Sequence, residues 1–402
     1  MVFLPQRGHG WVIEVKGRDW FFDPLGRVLN RPDPPPYDPC WCESGKKFRF
    51  CHLKKQREPR VTQAEYLREW EKASGIEMCL HPKAPAGCSE TIASAHSVQR
   101  MGGGLRTIAR DGEVFGYKLH PYFFIKTDLL PVPELIGTRR ASTFRGFCDR
   151  HDQELFRAAE TVEFSASVEQ LNLLNFRVIA RRLFGLHQSL RHRTKMLDYD
   201  RGLPSVVQKE FFATTHRDIA EAERHLKNVT SLKAEYDDRI TQSDFKNTNA
   251  LVACFEGRPE FLCSDLVDPV FDFLSRPMPL LPVPAHVCAY NLAISGGWAF
   301  VLCWVGSNTA AEQLARSFGE RGDKDKAASL LRFALEYTDQ LFFAPDWWDS
   351  LSDAARLEVT KSVTGRLHPH YQPESDIFEQ NGAVSMASVF SRSFGVGPWV
   401  GS

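Results

Sequence analysis

The order of apolar and polar positions divides the chain into helical and extended stretches. Leu171, Leu174, Val178, Ile179, Leu183 and Leu186 recur at the spacing of a helix that buries one face. Residues 153–245 therefore read as mostly helical. Pro204 separates two helices there, because proline lacks a donor and clashes with the preceding turn. Residues 246–308 change period. ALVACFEGRPEFLC reads as strand, and HVCAYNLAI, a Ser-Gly-Gly turn and WAFVLCWV read as a hairpin. Residues 309–340 and 350–364 return to helix, and the tail after 366 reads as loop-rich. Near the N-terminus, WVIEV and DWFFDP suggest short strands, followed by a stiff proline-rich connector over 31–39. TQAEYLREWEKAS (62–74) reads as a helix opened by Thr62, with Glu65 in the capping-box position.

Composition sets the class. A chain of 402 residues exceeds one ordinary core, and 43% hydrophobic with 25% charged residues marks a folded chain. The expected fold is α+β: small zinc-stabilised N-terminal modules, then a helical and antiparallel β C-terminal domain. The stretches fall at 1–60, 61–152, 153–245 and 246–402. Fifty basic residues balance fifty acidic ones, so only local clusters can point to a polyanionic partner. No apolar stretch approaches the roughly 20 residues of a membrane span, and no basic start precedes an apolar run at the N-terminus. A cytoplasmic chain without membrane contact is expected. Ten cysteines in a reducing compartment then point to metal ligands or core thiols before disulfides.

The first cysteine cluster is Cys40-Trp41-Cys42-Glu43-Ser44-Gly45-Lys46-Lys47-Phe48-Arg49-Phe50-Cys51-His52. Two thiols one residue apart, then a Cys-His pair, can wrap one ion, and a loop this short needs an ion to hold its shape. These residues resemble the SEC-C zinc motif, roughly CPCGSGKKYKKC followed by Cys or His. The resemblance implies a closed structural zinc site of Cys40, Cys42, Cys51 and His52. Trp41 and Glu43 stand where the motif usually carries proline and glycine. Lys46, Lys47, Arg49, Lys54, Lys55, Arg57 and Arg60 make the element basic, with Phe48 and Phe50 interleaved. Such a surface can meet phosphates, dock an acidic protein surface as SEC-C elements do, or simply be solvated.

A second set is spread more widely. Cys79 and Cys88 flank a turn rich in proline and glycine, and Cys148 and His151 form a Cys-x-x-His pair opening a helix. Two such pairs complete a tetrahedral set. Between them, SETIASAHSV reads as a strand ending at His96. The layout resembles the zinc-buttressed HNH (ββα-metal) nuclease superfamily, or a treble-clef zinc unit. That resemblance implies structural zinc at Cys79, Cys88, Cys148 and His151. It also implies His96 as general base, and Asp152 as partial holder of a catalytic Mg²⁺ or Mn²⁺. DNA or RNA would be the substrate, in a setting such as bacterial defence. Ala95 stands where many such sites carry a carboxylate or second histidine, and Thr143 is nearest to the usual asparagine. The competing expectation is a non-catalytic zinc scaffold that binds nucleic acid or a protein.

Cys254, Cys263, Cys288 and Cys303 lie among Val, Leu, Phe and Trp without close pairing, so they are expected as small core hydrophobes. His81 could replace Cys88 as a ligand but reads rather as a surface loop residue, and His120 could lie near the metal but reads rather as a hydrogen-bonded, half-buried histidine. Gly102-Gly103-Gly104 lacks the ending of a phosphate loop and reads as a turn. Arg139, Arg140 and Arg145, with Arg181, Arg182, Arg191, His192, Arg193 and Lys195, are candidate basic surfaces. Phe342 through Trp348 reads as an aromatic anchor on the core.

Overall fold

A computed structural model describes residues 14–15, 18–19, 33–117, 132–279, 284–366, 384 and 386–401. Strands β1 (Glu14–Val15) and β2 (Arg18–Asp19) pair antiparallel. The rest of WVIEV and DWFFDP, His120, and most of the tail from 367 to 385 lie outside the described residues. Helix α1 (His52–Lys55) is a single turn. Helix α2 (Gln63–Ser74) starts as its sequence predicts, with the Thr62 hydroxyl accepting from the Glu65 amide at 3.2 Å.

Further along come β3 (Ala95–His96), β4 (Glu113–Gly116), β5 (Glu134–Gly137) and β6 (Thr143–Phe144). Helices α3 (Asp149–Thr161), α4 (Val168–Met196) and α5 (Ser205–Gln242) follow, with Pro204 immediately before α5 as expected. The leucine-rich positions of α4 are all buried. Then come β7 (Thr248–Glu256), β8 (Phe261–Val267), β9 (Val287–Ile294) and β10 (Gly297–Val305). The remaining elements are α6 (Thr309–Glu320), α7 (Asp323–Tyr337), β11 (Leu341–Phe343), α8 (Pro345–Ser350), α9 (Asp353–Arg366) and β12 (Val389–Val396).

The chain divides into two compact units. One comprises Met1–Ile76, Leu119–Leu129 and Gly185–Lys227; the other comprises Glu77–Lys118, Leu130–Phe184 and Asn228–Ser402. The second unit holds an eight-stranded antiparallel sheet in the order β12-β7-β10-β9-β8-β11-β4-β5. The expected hairpin is β9–β10, with Ile294 opposite Gly297. One correction concerns the tail. Val389–Val396, read from sequence as loop, is the edge strand against β7. Its side chains are mostly exposed, so no buried face advertised it.

One sheet face packs Leu251, Phe255, Trp298, Phe300 and Trp304 against α6, α7 and α9 through Leu314, Phe318, Leu330, Phe333 and Val359. Phe343, Trp347 and Trp348 join this core, as the aromatic-anchor reading expected. Elsewhere the sheet meets polar groups of α4. Asn175 Nδ2 donates to Tyr236 Oη at 2.9 Å and to Cys303 Sγ at 3.0 Å. Cys254, Cys263, Cys288 and Cys303 are buried strand residues outside any disulfide, as their apolar context implied. Gly103 makes the turn at 102–104 possible. It sits at φ +89°, and a Cβ there would lie 2.2 Å from the Ala293 carbonyl oxygen. The chain is thus an α+β protein with Cys/His clusters toward its N-terminal side. Among the described residues no helix is long and apolar enough to cross a membrane.

Candidate metal centres

The first centre is built by a tight loop. Cys40 N donates to the Lys46 carbonyl at 2.8 Å, and Phe48 N donates to the Asp38 carbonyl at 2.8 Å, closing the loop around the fully buried Phe48. The turn between the two thiol pairs runs through Glu43 at φ +56° and Gly45 at φ +73°. Cys51 then leads into α1, whose first residue is His52. The result is one ligand atom from each of Cys40, Cys42, Cys51 and His52, all within 4.8 Å of one another. Cys42 and Cys51 sulfurs are 3.5 Å apart. His52 Nδ1 is 3.2 Å from Cys40 Sγ and 3.4 Å from Cys51 Sγ. A tetrahedral zinc site with Zn–S near 2.3 Å has ligand edges of about 3.8 Å, so this cage fits such an ion with small adjustment.

The second centre gathers distant segments. Met78 N and Leu80 N donate to the Arg145 and Gly146 carbonyls at 3.1 and 2.8 Å, placing Cys79 beside the approach to α3. Ala93 N donates to the Phe147 carbonyl at 2.8 Å, and β3 pairs β6 with His96 opposite Thr143. The chain then enters α3, with Cys148 at its N-cap position and His151 in its first turn. Cys79, Cys88, Cys148 and His151 again bring their ligand atoms within 4.8 Å. His151 Nδ1 faces Cys79 Sγ at 3.4 Å and Cys88 Sγ at 3.6 Å. His81 stands outside this set. It stacks on His151 with ring centroids 3.8 Å apart and planes 9° from parallel.

The thiols of each centre are unequal. Burial pushes the Cys40 thiol up to about 11. Burial also opposes ionisation of Cys42, but hydrogen bonds from the Ser44 side chain and backbone outweigh it and hold that thiol at about 7. In the second centre burial lifts Cys88 to about 11. Cys148 falls to about 7, because amides of His151 and Ser89 overcome the cost of burial. A cation entering either cage therefore meets one thiol that ionises readily and another that needs the metal to do so.

His96 and Asp152 stand outside the second centre's ligand set, although Asp152 directly follows His151. His96 is half-buried, and its Nε2 lies 3.1 Å from the Thr138 carbonyl oxygen. That oxygen can only accept, so in the neutral ring Nε2 carries the hydrogen and Nδ1 keeps its lone pair. Burial lowers the histidine below its usual range, with the Arg177 guanidinium adding to the effect. Asp152, in the first turn of α3, is raised by burial, with Arg177 partly opposing. Its Oδ1 is buried without a hydrogen-bond partner, as are Arg177 Nε and Nη1. Both His96 and Asp152 therefore feel the Arg177–Glu160 ion pair, which closes at 2.7 Å. Neither belongs to a group of three or more ligand side chains among the described residues.

The basic segments separate on inspection. Arg182 lies 3.4 Å from Asp339, and Arg193 lies 3.5 Å from Asp218, so the α4 cations are partly neutralised. Arg145 pairs with Glu77 at 2.6 Å. Arg139 and Arg140 are exposed on the turn before β6. On the first knuckle, Lys46, Lys47, Arg49 and Lys54 are exposed, together with Tyr37 and Phe50 at 58% and 61%. Arg49 lies 5.6 Å from the Tyr37 ring centroid and 5.7 Å from that of Phe50, and Lys47 lies 5.6 Å from Tyr37. Beside the second centre an open cleft of about 820 Å³ is lined by His81, Lys83, Arg150, His151 and Glu154 among others. The sequence reading did not find Tyr37 as part of the basic surface, nor Asp200 beside His52, since neither belongs to a ligand pattern.

No family model, curated protein or solved structure matches the chain. The SEC-C and HNH resemblances therefore rest on the residues quoted above.

Proposed function

We propose that this chain is a two-zinc protein that binds single-stranded nucleic acid through its first knuckle. The observation that carries this reading is the exposed Tyr37–Arg49–Phe50–Lys47 group on a loop that a metal would lock. Bases stack on aromatic faces, phosphates meet the cations between them, and the pairing tolerates many sequences. Three thiolates and one imidazole form a closed set without an open position, so zinc here is structural. Its chemistry when bound is to fix the two ends of the loop. The residues then present their side chains in a fixed row.

The test is fluorescence anisotropy with labelled DNA and RNA oligonucleotides on the zinc-loaded chain. Binding that weakens steeply with salt is expected. Tyr37→Ala and Phe50→Ala should each cost about 1–3 kcal/mol. Absence of binding to either polymer at low salt refutes the reading, and an acidic protein surface would then be the alternative occupant.

A second reading, metal-assisted phosphodiester cleavage, is favoured by one observation. The order β3, β6, α3 carries His96 at the end of a strand and Asp152 in the helix's first turn, both under the field of the same Arg177–Glu160 pair. His96 Nδ1 would take a proton from water, and Asp152 is the carboxylate available to a divalent cation. Nicking of a supercoiled plasmid with Mg²⁺ or Mn²⁺, lost in His96→Ala, would support it. No cleavage by the native chain under varied metals and polymers would sink it.

A further inference from the structure

The two centres share a donor set, three cysteines and one histidine, yet differ in what holds the imidazole. At the first, His52 Nε2 lies 3.2 Å from Asp200 Oδ2, and Asp200 is 1% exposed. Its other oxygen lies 2.5 Å from Lys55 Nζ, which also donates to the Leu197 carbonyl at 2.8 Å. The approach is that of an ion pair, since neither Asp200 oxygen meets hydrogen-bond geometry, and a carboxylate this close favours the hydrogen on Nε2 and leaves the lone pair on Nδ1. Nδ1 is the atom that faces Cys40 and Cys51. The ring is fixed from its sides as well. Trp41 lies against it with centroids 4.0 Å apart, and Phe212 meets it edge-on at 5.9 Å.

The loop bearing Asp200 is itself anchored. Gly202 N donates to the Lys55 carbonyl at 2.9 Å, and Gln208 Nε2 donates to the Asp200 carbonyl at 3.2 Å. Gly202 sits at φ +71°, where a Cβ would meet the Glu58 carbonyl oxygen at 2.7 Å. At the second centre the flat face of His151 stacks on His81, and the carboxylate that interacts with it, Glu154, is exposed and pairs with Arg150.

We propose that Asp200 is a positioning residue of the first centre. It orients His52 for binding through Nδ1, strengthens the imidazole as a donor, and makes the first centre the tighter of the two. A carboxylate behind a ligating histidine typically changes metal affinity by about 10–100-fold. The inference rests on the two-zinc reading of the cages.

The experiment titrates the zinc-loaded chain with a chromophoric chelator. Two release steps of one equivalent each are expected. Asp200→Asn should weaken the tighter step by about 10–100-fold and leave the other unchanged. A Cys88→Ser variant should abolish the weaker step alone. Because Asp200→Asn can also harm folding, ¹⁵N-histidine spectra of the wild-type chain give an independent reading. His52 should show a metal-bound Nδ1 and a protonated Nε2. Equal affinities for the two ions, an Asp200→Asn effect on both steps or neither, or metal on His52 Nε2 would each overturn the proposal. Less than one equivalent of bound zinc would instead overturn the two-zinc reading itself.

Discussion

Replacing Glu43 with glycine should tighten the first centre. Glu43 occupies the left-handed region at φ +56°, in the turn that joins Cys42 to the Gly45 bend. That conformation costs a residue with a Cβ about 1–2 kcal/mol. Glycine removes the strain but loses about 0.5–1 kcal/mol more backbone entropy on folding. The net gain is about 0.5–1 kcal/mol. Folding of so small a loop is coupled to its metal, so the gain appears as zinc affinity, about two- to five-fold tighter. Glu43 also carries an exposed negative charge close to the thiolates, and removing it acts in the same direction. Glu43→Gln separates the two effects, because it keeps the Cβ and loses the charge. The assay is chelator competition at low and high salt. Glu43→Gly should tighten binding at both. Any gain from Glu43→Gln should fade as salt rises. If Glu43→Gly leaves affinity unchanged or weakens it, the strained-turn reasoning is wrong.

Other consequences can be measured directly. Trp298 is fully buried, stacks on Phe255 at 4.3 Å, and donates to Ser388 Oγ at 2.9 Å. Trp298→Ala should therefore cost about 3–5 kcal/mol in denaturant unfolding of the second unit, and a loss below 1 kcal/mol would contradict the packing described. Thiol labelling should divide the cysteines into two classes. After chelation the half-buried Cys42, Cys51, Cys79 and Cys88 should react, while Cys254, Cys263, Cys288 and Cys303 should wait for denaturant. Burial removes access to the second class, and pushes Cys303 up to about 12. Equal rates for both classes without denaturant would refute the assignment of the latter to the core.

What the sequence revealed and what it hid follow from locality. Cys40 through His52 were readable as one cage because four ligands fall within a single short segment. The second cage was readable because Cys148 and His151 are spaced for one turn of helix, and the partner thiols flank a turn. Thr62, Pro204 and the β9–β10 turn declared their elements through local chemistry. Asp200 was hidden because an acidic loop residue has no spacing that relates it to a histidine so far back. Strand β12 was hidden because its exposed residues show no alternation. Part of the neutralisation on α4 was hidden too: Arg182 meets Asp339, a carboxylate that only the folded chain brings near. Strands β4 and β5 gave too short a pattern to place beside β11.

That last arrangement has a kinetic consequence. Phe115 of β4 pairs across from Phe343 of β11, and β12 completes β7 from still further along the chain. During synthesis β4 and β7 emerge long before the strands that cover them. Until then their edges offer unpaired amides and carbonyls to other chains. Such distant pairings also close slowly. Nascent copies should therefore depend on chaperones, and refolding yield should fall as protein concentration rises.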